Sequence, residues 1–223
     1  AGQGHGDHVP PDEHKERIAE HFDPLPIWYE PFDQAAVDVN EFPLHALTQR
    51  PAAMYHSWGS QNAWLRQIHG TNRLYIPESL AKRQDIVDED WVYLSSRNGK
   101  IKVRVRIMRG VNSKTVWTWN AIGKRAGAWN LDEDAKEFTE GFLLNHLIDD
   151  RLPANEHDYK YSNSDPVTGQ AAWFDVRVKI EKAPLSEQTA EAVSEPQFDA
   201  LKPPPTMPDR PGVMGYAVKK GEA

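Results

Sequence analysis

The chain has 223 residues, 39% hydrophobic and 26% charged, with a net charge of −7; this is enough apolar side chain to bury a core rather than remain disordered. Such a charge opposes general affinity for nucleic acid or anionic membrane, because both repel an acidic surface at long range. With no cysteine, the chain itself can carry no disulfide, thiolate-held iron–sulfur or zinc centre, or cysteine nucleophile, and no apolar run reaches the roughly 18 residues a membrane span needs.

In chain order, residues 1–41 form a polar extension that opens Ala-Gly-Gln-Gly and reads as part of a longer polypeptide. Its four histidines, His5, His8, His14 and His21, lack metal-ligand spacing, so no metal site is expected. Glu13–Phe22 fits a short amphipathic helix, after which Pro24, Pro26 and Pro31 enforce an extended path. The organised region is 42–182. Phe42–Thr48 reads as a strand, Ser60–Ile68 as a short helix and Arg73–Ile76 as a second strand; Pro77 starts a helix over Glu78–Arg83.

A hairpin follows, Trp91–Ser96 and Ile101–Met108, around Arg97-Asn98-Gly99-Lys100, where Asn-Gly supplies the positive φ angles of a tight turn. Ile101, Val103, Val105 and Ile107 share its packed face, whereas Lys102, Arg104 and Arg106 share the wet one. Thr115–Trp119 is a further strand. Glu137–Ile148 suits a helix, weakened by Gly141. Trp173–Lys182 alternates again with Val176, Val178 and Ile180 inward, and 183–223 is a proline-rich tail. Many short strands with few helices predict a compact, mainly β barrel.

Two stretches concentrate ligand chemistry. Leu47–Leu65 runs from a strand into a helix and holds Thr48, Gln49, Arg50, His56, Ser57, Ser60, Gln61 and Asn62. Backbone amides at a helix start, with hydroxyl, amide and guanidinium groups nearby, suit a phosphate or a polar heterocycle; an ordinary capped helix, with Ser57 or Ser60 as cap, is the plainer alternative. Tyr161–Phe174 spells turns at Asn163, Asp165-Pro166 and Gly169, while Asn163, Thr168 and Gln170 can also pair with a purine or pterin edge. Asn145 and His146 interrupt an apolar segment, where polar groups usually have a buried partner. No serine–histidine–aspartate set, Walker loop or glycine-rich dinucleotide turn is present, so no catalytic residue is assigned.

Taken in order, these pieces resemble the C-terminal molybdopterin-dinucleotide-binding domain of the dimethyl sulfoxide reductase superfamily of molybdenum oxidoreductases. Leu47-Thr-Gln-Arg50 with Tyr55-His-Ser57 is similar to the family's Thr-Gly-Arg and His-Ser/Thr element. Ile76-Pro-Glu to Ala81 and Ile86 to Gly99 resemble its run from the Asn-Pro to the Asp-Gly-Asp-x-Val segment. Asn145-His-Leu-Ile148 resembles its Asn-x-Leu element and Asp165-Pro-Val-Thr-Gly169 its Asp-Pro-x-Ser element. Gln49, Asp85 and Glu89 stand where the family has glycine. Trp173-Phe174 replaces the Tyr-Lys of the formate and periplasmic nitrate enzymes, which points to the sulfite or polysulfide–tetrathionate branch.

The resemblance implies a six-stranded double-psi β barrel. Thr48, Gln49, Arg50, His56, Ser57, Ser60, Gln61, Asn62, Asn145, Asn163, Thr168 and Gln170 would hold the pterin and guanine-nucleotide parts of a molybdenum bis(molybdopterin guanine dinucleotide). It further implies a catalytic subunit completed outside this chain, which alone turns over nothing. An iron–sulfur cluster in the rest of that subunit, an iron–sulfur electron-transfer subunit and a membrane anchor, on the cytoplasmic or periplasmic face, would complete the assembly, with no nucleic-acid partner. Two rival readings stay open at this point. One is an autonomous pyruvoyl-type double-psi enzyme, self-cleaved at Gly59-Ser60; the other is a protein-interaction module.

Overall fold

The structure, a computed structural model, describes residues 11–12, 15, 19, 25, 37–56, 58–120, 122–123, 141–148, 151–154, 160–162, 170, 176–188 and 197–198. They divide into two units, one of 1–36, 149–173 and 200–223, the other of 37–148 and 174–199. The strands are β1 (Leu44–Gln49), β2 (Leu74–Pro77), β3 (Trp91–Ser95), β4 (Gly99–Met108), β5 (Thr115–Trp119), β6 (Arg151–Ala154), β7 (Lys160–Ser162), β8 (Val176–Lys182) and β9 (Gln197–Phe198). The helices are α1 (Ala63–Ile68) and α2 (Glu78–Arg83). In the first unit β6 pairs antiparallel with β7, Arg151 opposite Ser162, and Asp12, Lys15 and Ala19 have helical backbone.

In the second unit the strands run β2-β5-β1-β8-β3-β4, and a β2–β4 pairing closes the ring into a six-stranded barrel, with β9 added beside β4. Two of its pairings, β1–β5 and β2–β4, are parallel; the rest are antiparallel. Closure leaves no long open edge, which is how a small all-β unit avoids pairing with other chains. The alternation read from β4 and β8 lines the interior. Val103, Val105, Val116, Val178, Leu74, Ile76 and Val92 are almost completely buried, and Leu80, Ala81 and Ile86 from α2 and its exit plug one end. A mainly β six-stranded barrel, as the resemblance implies, is the fold observed.

Four local expectations change. The Asn98-Gly99 turn uses no positive φ: among the described residues such angles occur at His56, Asp85, Glu89 and Gly123. Instead the Ser96 hydroxyl accepts from the Asn98 and Gly99 amides at 3.1 and 3.3 Å and donates to Leu147 O at 2.7 Å. A side chain thus replaces the backbone conformation as the device that closes the turn.

The β4 face read as wet is not wet at Lys102, whose side chain is 4% exposed. A 3-10 turn, Leu185–Glu187, covers it; Lys102 Nζ reaches Glu187 O at 3.1 Å and its carboxylate at 3.3 Å, and lies over the Trp91 ring. The same segment is fixed to β3 by Gln188, which accepts from Trp91 N at 2.8 Å and donates to Trp91 O at 3.0 Å. Residues 183–188 are therefore docked against β3 and β4.

Gly141–Leu143 is not helical, and a 3-10 turn over Leu144–Leu147 is the helical element observed between 141 and 148. The reason is a backbone crossing. A Cβ on Gly123 would sit 2.3 Å from Phe142 N, and one on Gly141 would sit 2.9 Å from Ile122 O. Only two glycines let the strands of chain pass this close. Finally, Ser60–Ile68 is split into a 3-10 turn, Gly59–Gln61, and α1.

Candidate functional site

The Thr48–Asn62 stretch leaves the barrel at the C-terminal ends of the parallel pair β1 and β5. Thr48 lies opposite Thr118 and Gln49 opposite Trp119, and Asn120 N donates to Gln49 O at 3.0 Å. Inward-facing positions that carry Ala46 and Val116 deeper in the barrel become Thr48, Thr118 and Asn120 at this end, so the core turns polar where the loop begins.

Asn72 organises that end. Only 2% exposed, it points its Nδ2 at Trp119 O, Ile122 O and Phe142 O, at 3.0, 3.1 and 3.1 Å. Its Oδ1 accepts from Thr118 Oγ at 2.8 Å and Trp119 N at 3.2 Å. One side chain therefore ties β5, the turn after it and the Gly141–Phe142 crossing to the start of β2. Two polar atoms beside this knot have no partner: Thr48 Oγ and Asn120 Oδ1 are buried and make no hydrogen bond. A buried polar atom without a partner carries a desolvation cost that a bound polar ligand can remove.

The loop itself is pinned by a small second core. Met54 packs with Ile122, Leu65 and Trp119. Tight turns follow, with Met54 N to Pro51 O at 3.1 Å and Trp58 N to Tyr55 O at 3.1 Å. His56 sits at φ 47°, half-buried, its ring edge-on to Tyr55. A left-handed non-glycine residue is strained by about 1 kcal/mol or more and persists only where its surroundings dictate it. Tyr55, Trp58 and Trp64 flank it with broad exposed rings, 72%, 77% and 77% accessible, surfaces that suit stacking on a flat heterocycle.

The other expected site residues are distributed as follows. Gln49, Arg50 and Asn62 are exposed, Thr48 is half-buried and Ser60 is buried. Asn62, rather than Ser57 or Ser60, caps α1, its Oδ1 accepting from Trp64 N at 2.9 Å. Gln61 ends the 3-10 turn, its side chain outside the described atoms, and Ser60 O accepts from Arg66 at 3.0 Å. Asn145 does not have the buried setting anticipated; it is exposed on the Leu144–Leu147 turn. Gln170 is exposed in the first unit; Ser57, Asn163 and Thr168 lie outside the described residues. Thr48 and Gln49 on β1, Arg50 just after it and the loop through Asn62 thus form one continuous feature. Asn72 and Asn120 were not anticipated, because an asparagine beside a strand reads as turn chemistry until its partners are known.

Electrostatically the feature suits an anion. In a chain of net charge −7, residues 42–77 contain no Asp or Glu but carry Arg50, Arg66 and Arg73, and residues 91–131 likewise contain no acid. Guanidinium groups and hydroxyls without competing carboxylates fit a diphosphate, while unpartnered oxygens at the barrel end fit the N–H donors of a pterin or purine.

The sequence pattern of the molydopterin dinucleotide binding domain matches residues 44–161. The chain belongs to that family. This molydopterin-dinucleotide-binding domain is 52% identical over 199 residues to a sulfite dehydrogenase subunit from Allochromatium vinosum, a match that covers 89% of this chain and 20% of the relative. It is 26% identical over 151 residues to dopamine dehydroxylase of Eggerthella lenta, covering 65% of this chain and 13% of that protein. The chain therefore spans a fifth or less of the length of these curated relatives. Among solved structures, acetylene hydratase from Pelobacter acetylenicus aligns over 74% of this chain and 22% of its own, with a TM-score of 0.49 and 17% identity.

Proposed function

We propose that the domain holds molybdopterin guanine dinucleotide through the Thr48–Asn62 feature within a larger molybdenum oxidoreductase of sulfite dehydrogenase type. The observation that carries this reading is the pair of unpartnered buried oxygens, Thr48 Oγ and Asn120 Oδ1, at the root of an acid-free, arginine-bearing loop. Arg50 is assigned to phosphate oxygens, Thr48 and Gln49 to polar ring edges, and His56 with Ser57, Ser60 and Gln61 to the loop's inner surface. Asn145, Asn163, Thr168 and Gln170 are assigned to the same cofactor. When bound, the molybdenum cofactor supplies two-electron oxygen-atom transfer. The task of these residues is to bind it, orient it and keep water from its polar edges.

The relative at 52% identity, a sulfite dehydrogenase subunit, supports the reaction class: sulfite and water would give sulfate, two protons and two electrons. The electrons need an outlet, so the reading includes an iron–sulfur cluster in the remainder of the catalytic subunit, an iron–sulfur partner subunit and a membrane anchor. Molybdenum and guanine nucleotide released by acid from the purified full-length protein test the reading. Near-stoichiometric amounts of both are expected, and Arg50→Ala should lower both together. Protein free of guanine nucleotide after expression with a complete molybdenum supply would overturn it.

A further inference from the structure

We propose that Asn120 is an additional cofactor-contacting residue, whose side-chain carbonyl accepts a hydrogen bond from a ring N–H or amino group of the pterin or guanine. This rests on the cofactor-holding reading above and extends it to the β5 side of the barrel end.

Asn120 Oδ1 is buried and has no partner. Its backbone is held in place: Asn120 N donates to Gln49 O, and Trp119 just before it and Ile122 two residues after it are held through their carbonyls by Asn72. Asn72 itself cannot serve as the missing donor, because its Nδ2 already reaches three carbonyl oxygens. The geometry is therefore a rigid backbone presenting an unused acceptor. A second unused atom, Thr48 Oγ, belongs to the neighbouring strand, where Thr48 lies opposite Thr118, two residues before Asn120 in the parallel register. A hydroxyl that can donate and a carbonyl that accepts, at adjoining positions, match the alternating donors and acceptors along a pterin or guanine edge. Holding such groups ready before the ligand arrives lowers the ordering cost of binding.

The test uses the cofactor-loaded full-length protein carrying Asn120→Leu, which keeps the volume and removes the acceptor, beside Thr48→Val. Guanine nucleotide and molybdenum per chain are measured, with the thermal midpoint of the cofactor-free protein as the second readout. We expect Asn120→Leu to lower cofactor content at least fivefold and leave the cofactor-free midpoint unchanged or raised, since it deletes a buried atom that bonds to nothing. Normal cofactor content in Asn120→Leu, with loss in Thr48→Val, would overturn this proposal alone. Cofactor loss accompanied by a lower cofactor-free midpoint would make Asn120 structural and also overturn it. Normal content in both variants would overturn the cofactor-holding reading of this barrel end as well.

Discussion

Two turns in the barrel unit force non-glycine residues into left-handed backbone, and they treat that strain in opposite ways. In the turn before β3, Asp85 and Glu89 stand at φ 52° and 69°, and nearly every charge has a partner. Glu89 meets Arg73 at 2.8 Å and Arg106 at 3.2 Å, Asp88 meets Arg106 at 3.6 Å, and Lys182 reaches Asp90 at 2.9 Å and the Asp85 carbonyl. In the loop after β1, His56 stands at φ 47° with an edge-on ring contact to Tyr55, and the strand feeding it carries an unpartnered Thr48 hydroxyl near its end. The first turn is a structural clamp in which ion pairs offset strain. The second has no acid of its own to do so, since residues 42–77 carry none; buried polar atoms without a hydrogen bond flank both turns, Gln84 Oε1, Glu89 Oε1 and Arg104 Nε at the first and Thr48 Oγ at the second.

The largest expected effect lies between these turns. Asn72→Ala strips the carbonyls of Trp119, Ile122 and Phe142 and the Thr118 hydroxyl of their shared partner, so urea unfolding should show a loss of about 3 kcal/mol. A loss within experimental error would mean that the barrel end is held by packing alone. Glu89→Gly comes next. It relieves the left-handed strain, about 1 kcal/mol, yet takes the Glu89 carboxylate from Arg73 and Arg104 and leaves Arg106 with Asp88 alone of its two acidic partners. A net destabilisation of about 1 kcal/mol is expected, because a charge-assisted hydrogen bond outweighs the strain. His56→Gly should do the reverse, stabilising the cofactor-free protein by about 0.5 kcal/mol while lowering cofactor retention. If both glycine variants shift stability in the same direction, the contrast between the turns collapses.

The smallest effect is a pH response at the docked 183–188 segment. The hydrogen bond from Tyr93, 2.6 Å long, and then Lys102 hold the Glu187 carboxyl below the usual glutamate range. The same hydrogen bond, followed by burial, pushes the Tyr93 hydroxyl above the usual tyrosine range. For the depressed acid, the contribution is present above the ordinary glutamate range and lost as pH falls through the lowered value. For the raised tyrosine, it is present below the ordinary tyrosine range and lost as pH rises through the raised value. The protection of the Trp91 amide, which is bonded to Gln188, measured against its intrinsic exchange rate at each pH, should therefore be greatest between these limits. Protection that is flat across both limits in Glu187→Gln, but not in wild type, would assign the response to this pair.

Much of the fold is legible in the sequence because β propensity and two-residue alternation are local. β4 and β8 declare their inward faces, and Pro77 starts α2 where its missing N–H is harmless. The ligand-bearing stretch is legible too, since Thr, Arg, His and Ser crowd between a strand and a helix. Ring closure through the β2–β4 pairing, the burial of Lys102 beneath Glu187 and the crossing at Gly123 and Gly141 depend on partners far away in the chain. No window of sequence contains both members of such a pair. Asn72 and Asn120 show the distinction most sharply. The sequence by itself determined a mainly β domain with a polar loop suited to a phosphate-bearing heterocycle. Tertiary structure alone decided which asparagine spends every hydrogen bond on the protein and which keeps one in reserve, because satisfaction of a polar atom is a property of its neighbours in space.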